Sequence, residues 1–337
     1  MHLVQITNGS QRSIALVAEP HLQRLVEVDA IYDLASACLR NNVSLTQRVA
    51  ELATGESLLY DDVYSGNSEW KLLSPIDIPG ALERILVSGT GLTHLGSAKD
   101  RQAMHLQTAT QPDKPLTDSM RMFQSGLDGG RPQPGAIGSA PEWFYKGHGD
   151  MLRAPFEALT VPAHAEDGGE EAEVAGIYLI DANGAPHRIG MCIGNEFSDH
   201  QFERRNYLNL AGSKLRQCSI GPELIIDPDF RNVQGEVTIE HNGNILWTKQ
   251  IETGEENMAH SLANLEHHHF KFESHRAPGH IHVHFFGAHS LSFGEDIALQ
   301  EGDWMQVSFD NFGRPLRNSL HIDDKNMHQL IHVQTMR

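Results

Sequence analysis

From Pro141 onward the chain is punctuated by short apolar, β-branched runs separated by turns: ALTVP, AGIYLID, RIGMCIG, PELIID, GEVTIEHNGNILWTK, IHVHFFG and WMQVSFDNFG. Runs of this length bounded by Gly, Pro, Asn and Asp read as strands, and Asn242-Gly243 between two alternating runs is a hairpin signal. No long alternation of helical and strand patterns interrupts them, so this half is expected to be mostly β. Residues 1–80 read differently. LVQITN and SIALVAE have strand character, whereas VDAIYDLASACLRNN and LTQRVAELATG repeat apolar residues at helical spacing. LLSPIDIP, with Pro75 and Pro79, marks a linker. The expectation is an α+β protein with a small N-terminal α/β domain over 1–80 and a mostly-β domain over 81–337. Residues 108–141 are rich in Gly, Pro and polar side chains. A loop of that length is either disordered or functional, so a lid over about 95–141 is expected.

Composition removes several functions. With 337 residues, 39% of them hydrophobic, the chain can bury a sizeable core. A formal charge of −18 argues against nucleic acid or an anionic membrane as partner. No apolar run approaches the roughly 18 residues that span a bilayer, and MHLVQITNGSQRS lacks the apolar core of a signal peptide. Three cysteines at unrelated spacings (Cys38, Cys192, Cys218) point to reduced thiols and a cytoplasmic enzyme.

Three carboxylates carry the strongest chemical signal. Glu173 opens the run EVAGIYLI, which reads as a strand, Glu171 lies two residues before it, and alternation puts the two on one face. Two like charges so close repel, and enclosing them is costly unless a cation lies between. Glu196, just after RIGMCIG, completes an oxygen-only set suited to Mg²⁺ or Mn²⁺. The competing reading is a solvated acidic loop from Glu166-Asp167 through Glu173.

The order of motifs from about Gly89 to Asn318 resembles the fumarylacetoacetate hydrolase superfamily. The matching residues are Glu171-Ala172-Glu173, Gly194-Asn195-Glu196-Phe197-Ser198, Lys214 ahead of Gly221-Pro222, Asn242-Gly243, Phe286-Gly287-Ala288, Gly302-Asp303 and Gly313-Arg314-Pro315-Leu316-Arg317-Asn318. The resemblance implies a mixed β-sheet roll or barrel, a divalent metal on Glu171, Glu173 and Glu196, and a homodimer or homotetramer. It also implies a substrate carboxylate held at the Thr-Gly-Thr turn, here Phe286-Gly287-Ala288, with His289 or Ser290 as substitutes. Glu196 replaces the usual aspartate.

A further departure separates branches of that superfamily. Its hydrolases carry a His-x-x-Glu that activates water, whereas Gly91-Leu92-Thr93 here is followed by Ser97 and Arg101. That pattern, with Phe144-Tyr145-Lys146, is similar to the branch that dehydrates 2-keto-3-deoxy sugar acids in pentose catabolism. The branch implies substrate contacts from Thr93, Arg101, Lys146, Asn195 and Ser198 and a role for Ser97. Asn195 and Ser198 also read simply as turn formers.

The implied chemistry starts from a 2-oxo acid whose C2 carbonyl is polarised by the metal, which acidifies C3 and stabilises the enolate. A base removes a C3 proton, the C4 hydroxyl leaves as water, and the enol rearranges to a 2,5-dioxo acid. Lys214, a compact cation, suits the enolate or carboxylate charge. His148, His94 and His105 are candidate proton shuttles because histidine titrates near neutrality. The alternatives are C–C hydrolysis of a 2,4-diketo acid, with His94 replacing the missing histidine, and a sugar-acid binder without turnover. His280, His282 and His284 alternate along one strand and form either a cupin-like metal site or a half-buried strand face or subunit contact. His267-His268-His269 read as a surface or interface feature of a helix.

Overall fold

The computed structural model describes residues 1–96, 98 and 117–336. Alternating apolar positions produce a thirteen-stranded mixed sheet and a five-stranded sheet, so the fold is α+β as expected. Strand Ala172–Ile180 is buried along its whole length. It pairs antiparallel with Pro186–Asn195 on one side and Ile281–Phe285 on the other. Beyond Ile281–Phe285 the sheet continues through the parallel partner Ile85–Gly89 to Phe144–His148. Beyond Pro186–Asn195 it continues to Cys218–Ile220, which pairs with Leu152–Arg153.

Strand alternation sorts the central side chains into two cores. Val174, Tyr178 and Phe286 pack with the five-stranded sheet through Val237, Ile239, Met305 and Val307. Ala175, Ile177, Val283 and Phe285 face the other way, among Val87, Cys192 and Ile220. The hairpin of the second sheet joins Val233–His241 to Asn244–Thr253. Its corner, Asn242-Gly243, has φ of 51° and 76°, the left-handed pair that this dipeptide favours.

In residues 1–80 the expected strands form at His2–Thr7 and Arg12–Ala18, and the expected helices at Ile31–Asn41 and Leu45–Leu52. His2–Thr7 pairs with Leu224–Ile225, so these strands extend the large sheet. A buried carboxylate ties the same region to the rest: Glu223 receives the Tyr60 hydroxyl at 2.9 Å and the Arg314 amide at 3.0 Å, and lies 2.6 Å from His2 Nδ1.

Two expectations need correction. The Gly- and Pro-rich stretch holds a helix, Asp118–Gly129, capped by the Thr117 hydroxyl on the Met120 amide. Its Phe123 packs in a small apolar cluster with Leu92 and Ala259. The histidine run lies in helix Leu262–Phe270, and only His267 is exposed; His268 and His269 are buried. Among the described residues, no helix is long and apolar enough to cross a membrane.

Candidate metal centre

Glu173 sits at the start of the central strand, with Glu171 two residues earlier, and Glu196 follows the end of strand Pro186–Asn195. The Glu196 amide donates to the Glu171 carbonyl at 2.9 Å, which fixes the two chain ends side by side. All three side chains are buried, and one carboxylate oxygen from each lies within 4.8 Å of the others. The solvated-loop reading therefore fails for these residues.

Two buried lysines face this acidic cluster. Lys214, at the end of helix Leu210–Lys214, donates to Glu171 Oε1 and, at 2.5 Å, to Glu196 Oε2; its ammonium also lies 4.7 Å from the Phe144 ring centre. Lys146 donates to Glu196 Oε1 and to the carbonyls of Phe197 and Lys214, both at 3.0 Å. Its three donors thus all meet protein oxygens.

Sequence reasoning missed His200. Its Nε2 lies 3.0 Å from Glu171 Oε1. Burial lowers its affinity for a proton, but the hydrogen bond to Glu171 and the charges of Glu171 and Asp167 outweigh that and raise its pKa. The imidazole fits because Gly169 has no side chain: a Cβ there would lie 2.5 Å from His200 Nδ1. The signal available was one histidine four residues after Glu196, which the spacing alone does not distinguish from a helix cap.

Glu173 accepts the Gly287 amide at 2.7 Å. The turn expected to hold a substrate carboxylate therefore uses its central amide on a metal-site carboxylate. Gly287 has φ 100°, and a Cβ on it would lie 2.0 Å from Thr93 Oγ1, so both backbone geometry and space require glycine. Burial, then Glu196 and Glu171, push the Glu173 carboxyl well above the usual carboxylate range. Burial and then Glu171 raise Glu196 too. A hard divalent cation would remove this repulsion, and three buried carboxylates supply the oxygen donors it needs. The residues fit such an ion.

The other expected residues divide. Ser198 donates to Glu196 Oε2 at 3.0 Å. Asn195 Oδ1 accepts the amides of Glu171, at 3.2 Å, and Phe197, at 3.3 Å, so both residues shape the corner that carries Glu196. Thr93 donates to the Phe286 carbonyl at 2.7 Å. His94 is buried, with its ring nitrogens 2.9 Å from Thr93 Oγ1 and 3.1 Å from Thr253 Oγ1. Burial and then His289 push its pKa down to about 3. Ala288 is buried and His289 half-buried beside it. His148 is exposed, and its ring hydrogen-bonds the Tyr145 hydroxyl. Ser97, Arg101 and His105 lie outside the described residues.

A large mixed sheet with an acidic, lysine-flanked centre at its strand ends matches the fumarylacetoacetate hydrolase type of fold that the motif order implied. No protein-family model matches the sequence, and none of the curated proteins does. Solved structures match over nearly the whole chain. A hexagonal crystal form of 2-keto-3-deoxyarabinonate dehydratase has a TM-score of 0.69 at 16% identity, over 96% of this chain and 100% of that one. The 2-keto-3-deoxy-D-arabinonate dehydratase complexed with magnesium and 2,5-dioxopentanoate gives 0.68 at 17%, with the same coverage. A 5-carboxymethyl-2-hydroxymuconate delta-isomerase from Mycobacterium smegmatis gives 0.56 at 16%, again over 96% and 100%. At these identities the likeness establishes the fold.

Proposed function

We propose that this protein is a divalent-metal-dependent hydro-lyase that dehydrates a 2-keto-3-deoxy sugar acid, a 2-keto-3-deoxy-pentonate giving 2,5-dioxopentanoate. The observation that carries this reading is the buried set Glu171, Glu173 and Glu196 within 4.8 Å, on a fold shared end to end with a dehydratase of such an acid. Mg²⁺, or Mn²⁺, when bound there supplies Lewis-acid polarisation of the 2-oxo group.

The chain's own residues do the rest. Lys214, already bridging two of the carboxylates, is placed to balance negative charge that develops on the substrate. Lys146 holds Glu196, His200 holds Glu171 and the Gly287 amide holds Glu173, so each carboxylate has a dedicated partner that fixes its direction. The net reaction removes one C3 proton and the C4 hydroxyl as water. Hydrolysis is less well supported. His94, the residue that would have to activate water, is buried with both ring nitrogens against threonine hydroxyls. The reading extends to a cytoplasmic homodimer or homotetramer.

Incubating the purified protein and Mg²⁺ with 2-keto-3-deoxy-pentonates tests it. Formation of 2,5-dioxopentanoate supports the proposal. Pyruvate from a 2,4-diketo acid would replace it with C–C hydrolysis, and thermal stabilisation without turnover with a binder.

A further inference from the structure

On the face of the central sheet opposite Glu173, strand Ile281–Phe285 turns His282 and His284 toward helix Leu262–Phe270. His269 comes from that helix and His275 from the short turn Glu273–Arg276 that follows it. Histidine is only intermediate in its tendency to be buried, yet four imidazoles meet here in the interior. The rings of His269 and His284 lie 4.3 Å apart at 32°, and those of His269 and His275 4.8 Å apart at 41°.

Their hydrogen bonds fix where the lone pairs lie. A carbonyl oxygen only accepts, so His275 Nδ1, 2.7 Å from the His269 carbonyl, carries the proton and Nε2 keeps the lone pair. An indole only donates, so Trp143 Nε1, 3.2 Å from His269 Nδ1, leaves the His269 proton on Nε2. That proton is shared with His282 Nδ1 at 2.8 Å, which places the His282 lone pair there. His284 is already satisfied by Ser88 and Thr90, at 2.9 and 2.8 Å, and serves as a stacking wall. Burial and then neighbouring histidines hold His269 and His282 neutral, the protonation state in which imidazole binds metals.

We propose that His269, His275 and His282 form a second cation site, for a borderline-soft divalent ion such as Zn²⁺, separate from the carboxylate centre. One ring nitrogen from each of the three lies within 4.8 Å of the others. Tetrahedral Zn²⁺ with Zn–N bonds of about 2.1 Å sets its nitrogens about 3.4 Å apart. The His269–His282 contact of 2.8 Å then opens by about 0.6 Å as the shared proton leaves and the ion takes its place. The donor sets keep the two sites apart: imidazole selects Zn²⁺-like ions, and carboxylate selects Mg²⁺. Loading moves the His269 proton to Nδ1, which ends the hydrogen bond from Trp143. That indole is 36% exposed, so it has room to turn. The ion would staple helix Leu262–Phe270, the turn after it and strand Ile281–Phe285 to one another.

The test uses the whole protein with excess Mg²⁺ present, so that the carboxylate centre is occupied. Co²⁺ is titrated while visible absorption is recorded. The expected result is the intense absorption of four-coordinate Co²⁺, saturating at one equivalent, abolished by added Zn²⁺ and absent from H275A and H282N. Trp143 fluorescence should change over the same titration, and W143F should lose that response while still binding. The weak absorption of six-coordinate Co²⁺ alone, or an intense band that survives in both histidine variants, overturns the proposal. If neither variant folds, the Zn K-edge X-ray absorption of the wild-type protein decides. Imidazole multiple scattering supports the site, and an oxygen-only shell overturns it. Neither outcome depends on the sugar-acid reading.

Discussion

The ammonium of Lys146 donates to the main-chain carbonyl of Lys214 at 3.0 Å, so one buried cation anchors the backbone that carries the other. The same ammonium neutralises Glu196. Lys146→Met keeps the bulk of the side chain but leaves Glu196 buried beside fewer positive charges. Breaking a buried pair from one side costs about 3–5 kcal/mol. Denaturant unfolding of the metal-free protein should show a loss of that order, with Mg²⁺ restoring part of it. A variant as stable as the wild type would show that Lys146 does not hold this corner.

Glu173→Gln should preserve the fold and remove metal-dependent activity. Burial and its two acidic neighbours already disfavour the charged form of Glu173, so a neutral isostere costs little without the ion. The thermal midpoint of the metal-free variant should match that of the wild type within a few degrees. Added Mg²⁺ should raise the wild-type midpoint and leave the variant's unchanged. Turnover near the wild-type level in this variant would refute the site.

His200→Asn shortens the side chain that orients Glu171 from 3.0 Å. Removing such a support typically costs 10–100-fold in metal affinity or activity. Calorimetric titration with Mg²⁺ or Mn²⁺ should show a weakening in that range with an unchanged circular dichroism spectrum. Unaltered affinity would mean that His200 is packing alone.

Gly287→Ala tests the turn that presents its amide to Glu173. The new methyl would lie 2.0 Å from Thr93 Oγ1 and 3.0 Å from the Thr90 carbonyl, at a φ of 100° that disfavours any side chain. A loss of roughly 1–3 kcal/mol in stability is expected, together with weaker metal binding as the amide moves. Wild-type stability and affinity together would contradict the assigned geometry.

His284 gives a pH prediction. Burial and then His275 push its pKa down to about 3, against about 6.5 in an unfolded chain. Between those values the unfolded state binds the extra proton, so this stability is complete above about pH 6.5 and is lost as pH falls toward 3. The slope is at most about 1.4 kcal/mol per pH unit for one group. His284→Asn should therefore lose less stability than the wild type between pH 7 and pH 5 in urea unfolding. Equal losses would show that His284 is not held neutral.

The strands of the second half were legible because their apolar runs alternate or stay wholly apolar between turns, and the carboxylates because their motifs fall in a fixed order. The partners of those carboxylates were not. Lys146 and Lys214 lie 68 residues apart in sequence, and no local pattern reveals that an ammonium of one meets a carbonyl of the other. His200 stands where any short helix carries a polar residue. The buried histidines did leave a trace that was passed over. Leu262, Leu265 and His269 recur at the i, i+3, i+7 spacing of one helical face, which predicts burial for His269. Helix Asp118–Gly129 was hidden because its glycines and polar residues imitate a loop, while Met120 and Phe123 supply the few apolar contacts that hold it.

Glu223 has one further consequence. Its carboxylate gathers His2, Tyr60 and the amide of Arg314, whose guanidinium also sits 3.8 Å from the Tyr60 ring centre. A fragment beginning near residue 81 would strip that anion of two of its three companions and bare the strand edge at Leu224–Ile225. Severing the polypeptide at the Pro75–Pro79 stretch should therefore yield two halves that survive only in each other's company.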